Sequence, residues 1–248
     1  MRYKRTIFLH IQKTAGTTAL VHLKRVLKPR TMLKLEQFAA VPSARLPDYE
    51  FITGHFGFAY IKDVIDTSYS ITFMREPVQR VLSLYSYCRD TPLTERTRAF
   101  PIFASARRMS IDEFVLCEDP ASGIPQSIDN TQTWQLAKDY SALARYSGPP
   151  PSDQALHDLA VRNLERFSHV GFQEDFLRHL QCILPELGFA APRSTGRVNH
   201  SLRPMSEQEL HPRTLDTLRE RLRLDSALYQ YARAEYGLPQ SESMVLEK

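Results

Sequence analysis

Apolar residues near the start of the chain change their spacing within a few positions. Ile7, Leu9 and Ile11, with Phe8 between them, form a short continuous apolar run, the pattern of a strand buried on both faces. From Ala19 onward the interval becomes helical: Leu20, Leu23 and Leu27 recur with Ala19 and Val26, while His22, Lys24, Arg25 and Lys28 fall mostly on other faces. Residues 32–50 read as a connector with Pro42 and Pro47. Phe51-Ile52-Thr53 and Tyr69 to Met74 read as two more strands. Val78, Val81, Leu82 and Tyr85 make one face of a helix that Pro77 opens, where its missing N–H is harmless. Strands that alternate with helices predict an α/β fold, a single domain with a central parallel sheet flanked by helices.

The same reading extends to the end of the chain. Residues 90–130 predict a mixed helical insertion with Ile111, Phe114 and Val115 on one face, and Asp119 to Pro125 a loop within it. Trp134 begins or precedes another helical stretch. Ser147 to Ser152, with three prolines and a glycine, breaks the chain before a helix over 153–166. Phe167 to Phe172 reads as a strand, and Asp175 starts a helix toward Leu187. Ser206 and Glu209 have capping-box spacing ahead of C-terminal helices that use Leu215, Leu218, Leu222, Leu228 and Tyr229. The domain is expected over 1–238, with a disordered tail at 239–248. No internal repeat is visible.

Composition adds bounds. At 248 residues, 42% hydrophobic and 24% charged, the chain suits one globular domain with a large core. A net charge of +4 is only mildly basic, which suits an anionic ligand and gives no argument for nucleic acid. The densest basic group, Arg96, Arg98, Arg107 and Arg108, reads as a solvated helix face or the lining of an acceptor cleft. Cys88, Cys117 and Cys182 have no metal spacing, and neither do the eight histidines, so no metal is expected. Reduced cysteines, no secretory signal and no span of membrane length predict a cytoplasmic protein.

Two constellations carry chemistry. The first is the turn between the opening strand and helix, Lys13-Thr14-Ala15-Gly16-Thr17-Thr18. Backbone N–H groups at a helix start, three hydroxyls and one ammonium converge there, which suits phosphate or sulfate. Gly16 lets the backbone approach an anion closely. The turn departs from a nucleoside-triphosphate P-loop, because Lys13 precedes Gly16 instead of following it. The second is Arg75, at the carboxyl end of the Tyr69–Met74 strand, with Ser83 two turns into the next helix. Ligands of open α/β sheets bind outside the carboxyl ends of strands, so Arg75 is a candidate phosphate clamp. Alone, it would read as a surface arginine paired with Glu76.

Together these stretches resemble the sulfotransferases that use 3′-phosphoadenosine-5′-phosphosulfate (PAPS), closest to the carbohydrate branch with the heparan and chondroitin uronosyl 2-O-sulfotransferases and bacterial relatives. Arg75, Pro77, Arg80, Ser83 and Tyr85 match that family's Arg-x-Pro-x-x-Arg-x-x-Ser-x-Tyr segment. Thr53 to Phe58 resembles its Gly-His-Phe segment, Asn130-x-Gln132-Thr133 its Asn-x-Gln-Thr segment, and Val170 to Glu174 its strand with an acidic end. Arg197-Val198-Asn199 falls where the family places a loop over the nucleotide. Gln12, Ala15 and Trp134 depart from the common residues, the last with a consequence for acceptor choice.

The resemblance implies a P-loop-like nucleotide-binding fold and sulfuryl transfer from PAPS, with PAP as product, to a hydroxyl of a glycan or small glycoconjugate. It implies that Lys13, Thr14, Ala15, Gly16, Thr17 and Thr18 hold the 5′ side, that Arg75 and Ser83 hold the 3′-phosphate, and that Arg197 covers the nucleotide. Asn130, Gln132, Thr133 and Trp134 would meet the acceptor, as would the 90–130 insertion. His55 would be the general base, with Lys13 stabilising the leaving phosphate. His10, within the first strand, reads as structural. Animal relatives typically carry a Golgi membrane anchor, so the chain is expected to be bacterial, unless an N-terminal anchor has been trimmed from it. The alternatives are an ATP- and magnesium-dependent phosphotransferase, and a PAP- or PAPS-binding protein without catalysis.

Overall fold

A computed structural model describes residues 3–33, 37–138, 151–194 and 205–239. Five parallel strands form one sheet: β1 (Thr6–Leu9), β2 (Met32–Leu33), β3 (Phe51–Gly54), β4 (Tyr69–Met74) and β5 (His169–Phe172), in the order β2-β3-β1-β4-β5. Leu9 pairs with Gly54 on one side and with Thr72 on the other. The chain leaves β1 toward β2 and β3, then crosses to place β4 on the far side. The continuations of β1 and β4 therefore depart in opposite directions. That switch point is where open α/β sheets leave a crevice.

Helices cover both faces. Phe8, Phe51, Tyr69, Ile71 and Phe73 pack under α1 (Gly16–Leu27) and, counting helices in chain order, α10 (Phe176–Glu186). The other face of the same strands, with Ile7, Leu9, Ile52 and Met74, packs against α8 (Thr131–Ala137), α9 (Asp153–Leu164) and α12 (Arg223–Tyr236). The two-residue alternation of a strand sorts Ile7 and Leu9 from Phe8 in this way. A third apolar cluster joins α3 (Pro77–Asp90) to the 90–130 segment and to α11 (Pro212–Arg221). That segment holds α4 (Glu95–Arg98), α5 (Pro101–Arg108), α6 (Ile111–Leu116) and α7 (Ile124–Ile128); between α1 and α3 lies the short α2 (Phe58–Ile61).

The element boundaries mostly follow the apolar spacing, with local differences. The connector 32–50 contains β2 and two 3-10 turns. The expected loop at Asp119–Pro125 is already a 3-10 turn followed by the start of α7, because Asp119 caps Ala121 and Pro125 sits in the first helical turn. Trp134 lies in the middle of α8. The Ser206–Glu209 capping box forms, on a 3-10 turn ahead of α11. Ser147–Pro150 of the expected breaker, Arg197-Val198-Asn199 and tail residues 240–248 lie outside the described residues. Among the described residues no helix is long and apolar enough to cross a membrane, and no three or more His, Cys, Asp or Glu side chains are grouped to hold a metal ion.

Candidate functional site

Beyond Leu9 the sheet pairing continues for one residue, as the His10 N–H donates to Gly54 O at 3.0 Å. The chain then turns sharply, with Lys13 and Ala15 at φ values of 68° and 67°. Thr14 is buried, and its hydroxyl donates to Ile11 O at 2.8 Å, so its proton closes the turn instead of facing a ligand. Ala15 is the N-cap of α1 and supplies no side-chain cap. The first N–H groups of that helix, at Gly16, Thr17 and Thr18, have no intrahelical acceptor. Thr17 is exposed and Thr18 buried. Gly16 has an unexpected reason for its size. A Cβ there would lie 1.7 Å from His10 Nε2, because the buried His10 ring sits directly against the first turn of α1.

Two cations meet at this turn. The Lys13 ammonium lies 3.9 Å from the Tyr87 ring centroid, and burial, aided by the charge of Arg75, lowers its pKa to about 8. Arg75 stands just past β4 and donates from Nη1 to the Lys13 carbonyl at 3.2 Å. Its Nε is buried without a hydrogen-bond partner among the described residues. The surface pairing with Glu76 that Arg75 taken alone would suggest is not found among the described residues. The Glu76 carboxylate instead caps α3, accepting from Val78 N at 3.2 Å and Gln79 N at 2.7 Å. Glu174, the acidic end after β5, accepts from Glu76 N at 2.9 Å. Ser83 is half-buried in the second turn of α3. Arg80 is fully buried and donates to the carbonyls of Ser127 and Ile128, tying α3 to α7; Tyr85 donates to Met109 O.

His55 lies beside the loop. Its Nδ1 is 2.6 Å from the His10 carbonyl, and a carbonyl only accepts, so Nδ1 carries the proton and Nε2 the lone pair. The two imidazole centroids are 4.4 Å apart. Burial lowers the His55 pKa to about 4, against the bond to His10, which favours the cation. His10 is held well below the ordinary histidine range by burial, then by His55 and Lys13.

Helix α8 closes the arrangement. Asn130, its N-cap at φ 45°, accepts on Oδ1 from the N–H groups of Leu224 and Asp225 at the start of α12. Asp225 in turn accepts from Gln132 N at 3.2 Å, Thr133 N at 2.7 Å and the Thr133 hydroxyl at 2.8 Å. The Gln132 side chain grips the Arg75 main chain at both groups: Arg75 N donates to Oε1 at 3.1 Å, and Nε2 donates to Arg75 O at 2.9 Å. Trp134 is half-buried against the core. Asn130, Gln132 and Thr133, expected to meet an acceptor, thus engage polar atoms inside the protein. The arrangement brings Lys13, Arg75 and the bare start of α1 into one place and His55 against the same strand end. Arg197 lies outside the described residues.

Three residues escaped the sequence reading. Asp225 is a buried acid in a helix of ordinary composition, and Tyr87 follows a matched segment without belonging to it. Gln135 donates from Nε2 to His10 O at 3.1 Å and to Phe56 O at 2.9 Å. Its only signal was its place one helical turn after Gln132. A model of the sulfotransferase family matches residues 2–232 of the chain. No curated protein matches it. The family match does not favour the ATP- and magnesium-dependent alternative or a non-catalytic one.

Proposed function

The chain belongs to the sulfotransferase family, and from that premise we propose that it moves a sulfuryl group from PAPS to a carbohydrate hydroxyl, with residues 1–238 as the working unit and the 90–130 helices on the acceptor side. The observation that carries the donor assignment is Arg75, whose buried Nε lacks a partner among the described residues while its Nη1 holds the Lys13 carbonyl. An orphaned buried donor is costly unless a ligand completes it. Two neighbouring cations, both depressed chiefly by burial and Lys13 further by the charge of Arg75, beside a helix start with no side-chain cap, suit a multiply charged anion.

PAPS, when bound, supplies the sulfuryl group and a phosphate leaving group. The Lys13 ammonium and the N–H groups of Gly16, Thr17 and Thr18 would hold its 5′ side, with Thr14 and Ala15 shaping the turn. Arg75 and Ser83 would hold the 3′-phosphate. Lys13 would offset charge that grows on the leaving oxygen, and the loop dipoles act without reorganising. His55 Nε2 would take the proton of the acceptor hydroxyl. Anionic charge beside Lys13 favours imidazolium, so donor binding pulls the His55 pKa up from about 4 toward the working range. Asn130, Gln132 and Thr133 serve by holding α8, α12 and Arg75 in place, with Trp134 the member of that segment left to meet the acceptor.

Calorimetric titration with PAP, with AMP as control and no magnesium, tests the donor assignment. Tight PAP binding with weak AMP binding is the expected result, and equal affinities would remove the 3′-phosphate role of Arg75. His55→Ala should keep PAP binding and lose about 10²–10⁴ in turnover; near-normal turnover would remove the base assignment.

A further inference from the structure

Gln132 and Gln135 are three residues apart on α8 and so share a face. Both are fully buried. Between them they reach the carboxyl ends of three adjacent strands: Gln132 grips Arg75 after β4, and Gln135 reaches His10 after β1 and Phe56 after β3. The Gln135 Oε1 is buried with no hydrogen-bond partner among the described residues. An apolar side chain of equal length would lose the two Nε2 bonds but would also remove the unpaired Oε1, so the gain and the cost of the amide offset one another. Stability alone therefore does not account for an amide at this position.

Its geometry does. Both contacts of Nε2 are carbonyls, which fixes the orientation of the amide. One of them, His10 O, is the carbonyl that receives the Nδ1–H of His55; the other belongs to the residue directly after His55. A single nitrogen thus pins the backbone beside His55 to the acceptor that sets its tautomer. We propose that α8 is a brace for the active site, in which Gln135 is a positioning residue that holds His55 in the Nδ1–H form, while Gln132 separately holds Arg75 for the donor's 3′-phosphate. The roles of His55 and Arg75 follow the function proposed above; the tautomer and its dependence on Gln135 do not.

The test uses the full chain carrying ¹⁵N-labelled histidine, with the His55 signals identified by their loss in His55→Ala. In the unsubstituted protein His55 should show a protonated Nδ1 and an unprotonated Nε2. Gln135→Met should give a mixture of tautomers and lower the release of PAP from PAPS, with water as acceptor, by about 10- to 100-fold, since misplacing a reacting group by about 1 Å can cost about 100-fold. Its PAP affinity should stay within about twofold of the parent's. Gln132→Met should show the reverse, PAP binding weakened by about tenfold or more and an unchanged His55 tautomer. If Gln135→Met does not fold, Gln135→Glu keeps the length, loses a donor and carries the same comparison. An unchanged His55 tautomer in the folded Gln135 variant overturns the brace. Normal turnover in His55→Ala strikes instead at the base assignment and leaves the tautomer result to judge Gln135.

Discussion

Gly16→Ala adds one methyl group where the structure has no room for it. The new Cβ would lie 1.7 Å from His10 Nε2 and 1.8 Å from Cδ2, whereas real Cβ atoms essentially never come within 3.0 Å of another group. The ring must therefore retreat by about 1.3 Å, the gap between 1.7 and 3.0 Å. It has nowhere convenient to go. His10 is 8% exposed, stacked on Phe8 at 5.4 Å between centroids and against His55 at 4.4 Å. Overpacking of this kind costs about 1–3 kcal/mol, and the bracketed ring argues for about 3. In a chain of this size that lowers Tm by about 6–12 °C. The diagnostic measurement is a double-mutant cycle in thermal or urea denaturation. In a His10→Ala background the obstacle is gone, and Gly16→Ala should be neutral or, through helix propensity, stabilising by up to about 1 kcal/mol. If Gly16→Ala melts within about 2 °C of the parent, or costs the same in both backgrounds, the steric account of Gly16 is wrong.

Three further outcomes follow from the same geometry. Lys13 has a pKa of about 8 in the free protein, so PAP affinity should be level below that pH and fall about tenfold per unit above it, a limb that Lys13→Met should lack. His55 and His169 titrate at about 4 and His179 at about 3, chiefly through burial, and His10 is also depressed. The unfolded chain then binds more protons below pH 6.5. Stability should be full above that value and fall toward pH 4 by about 1.4 kcal/mol per unit for each histidine, partly offset by Asp225, whose carboxyl burial pushes up; a flat urea midpoint from pH 7 to 4.5 would contradict this. Asp225→Ala removes the acceptor of three hydrogen bonds in the core and should cost about 3–5 kcal/mol in urea unfolding, whereas a loss below about 1 kcal/mol would mean that α8 does not depend on it.

Local pattern carried the fold a long way. Strand β4 spans the apolar run Tyr69–Met74 as read, and α3 opens on Pro77. The short turn before α1 and the parallel sheet likewise follow from residues close in sequence, because strand alternation, helical spacing and turn chemistry act within a few positions. The motif segments also named Lys13, His55, Arg75 and the Asn130–Thr133 stretch as belonging together. Their division of labour was not legible. Thr14 and Gly16 sit in the expected loop, yet the hydroxyl of one points inward and the small size of the other answers to the His10 ring. Asn130, Gln132 and Thr133 read like ligand-facing polar residues, but their partners are Asp225, Leu224 and the Arg75 main chain, 57 or more positions away.

The sequence by itself thus determined the elements, the sheet type and the chemical groups at the strand ends. Only the tertiary structure decided which polar atoms remain for a ligand and which are consumed in holding the site, as the orphaned Arg75 Nε and the paired Gln132 amide show. The reason is physical. A side chain's propensity is set by its own backbone and near neighbours, while the satisfaction of a buried donor or acceptor is set by whatever the folded chain brings within 3 Å of it.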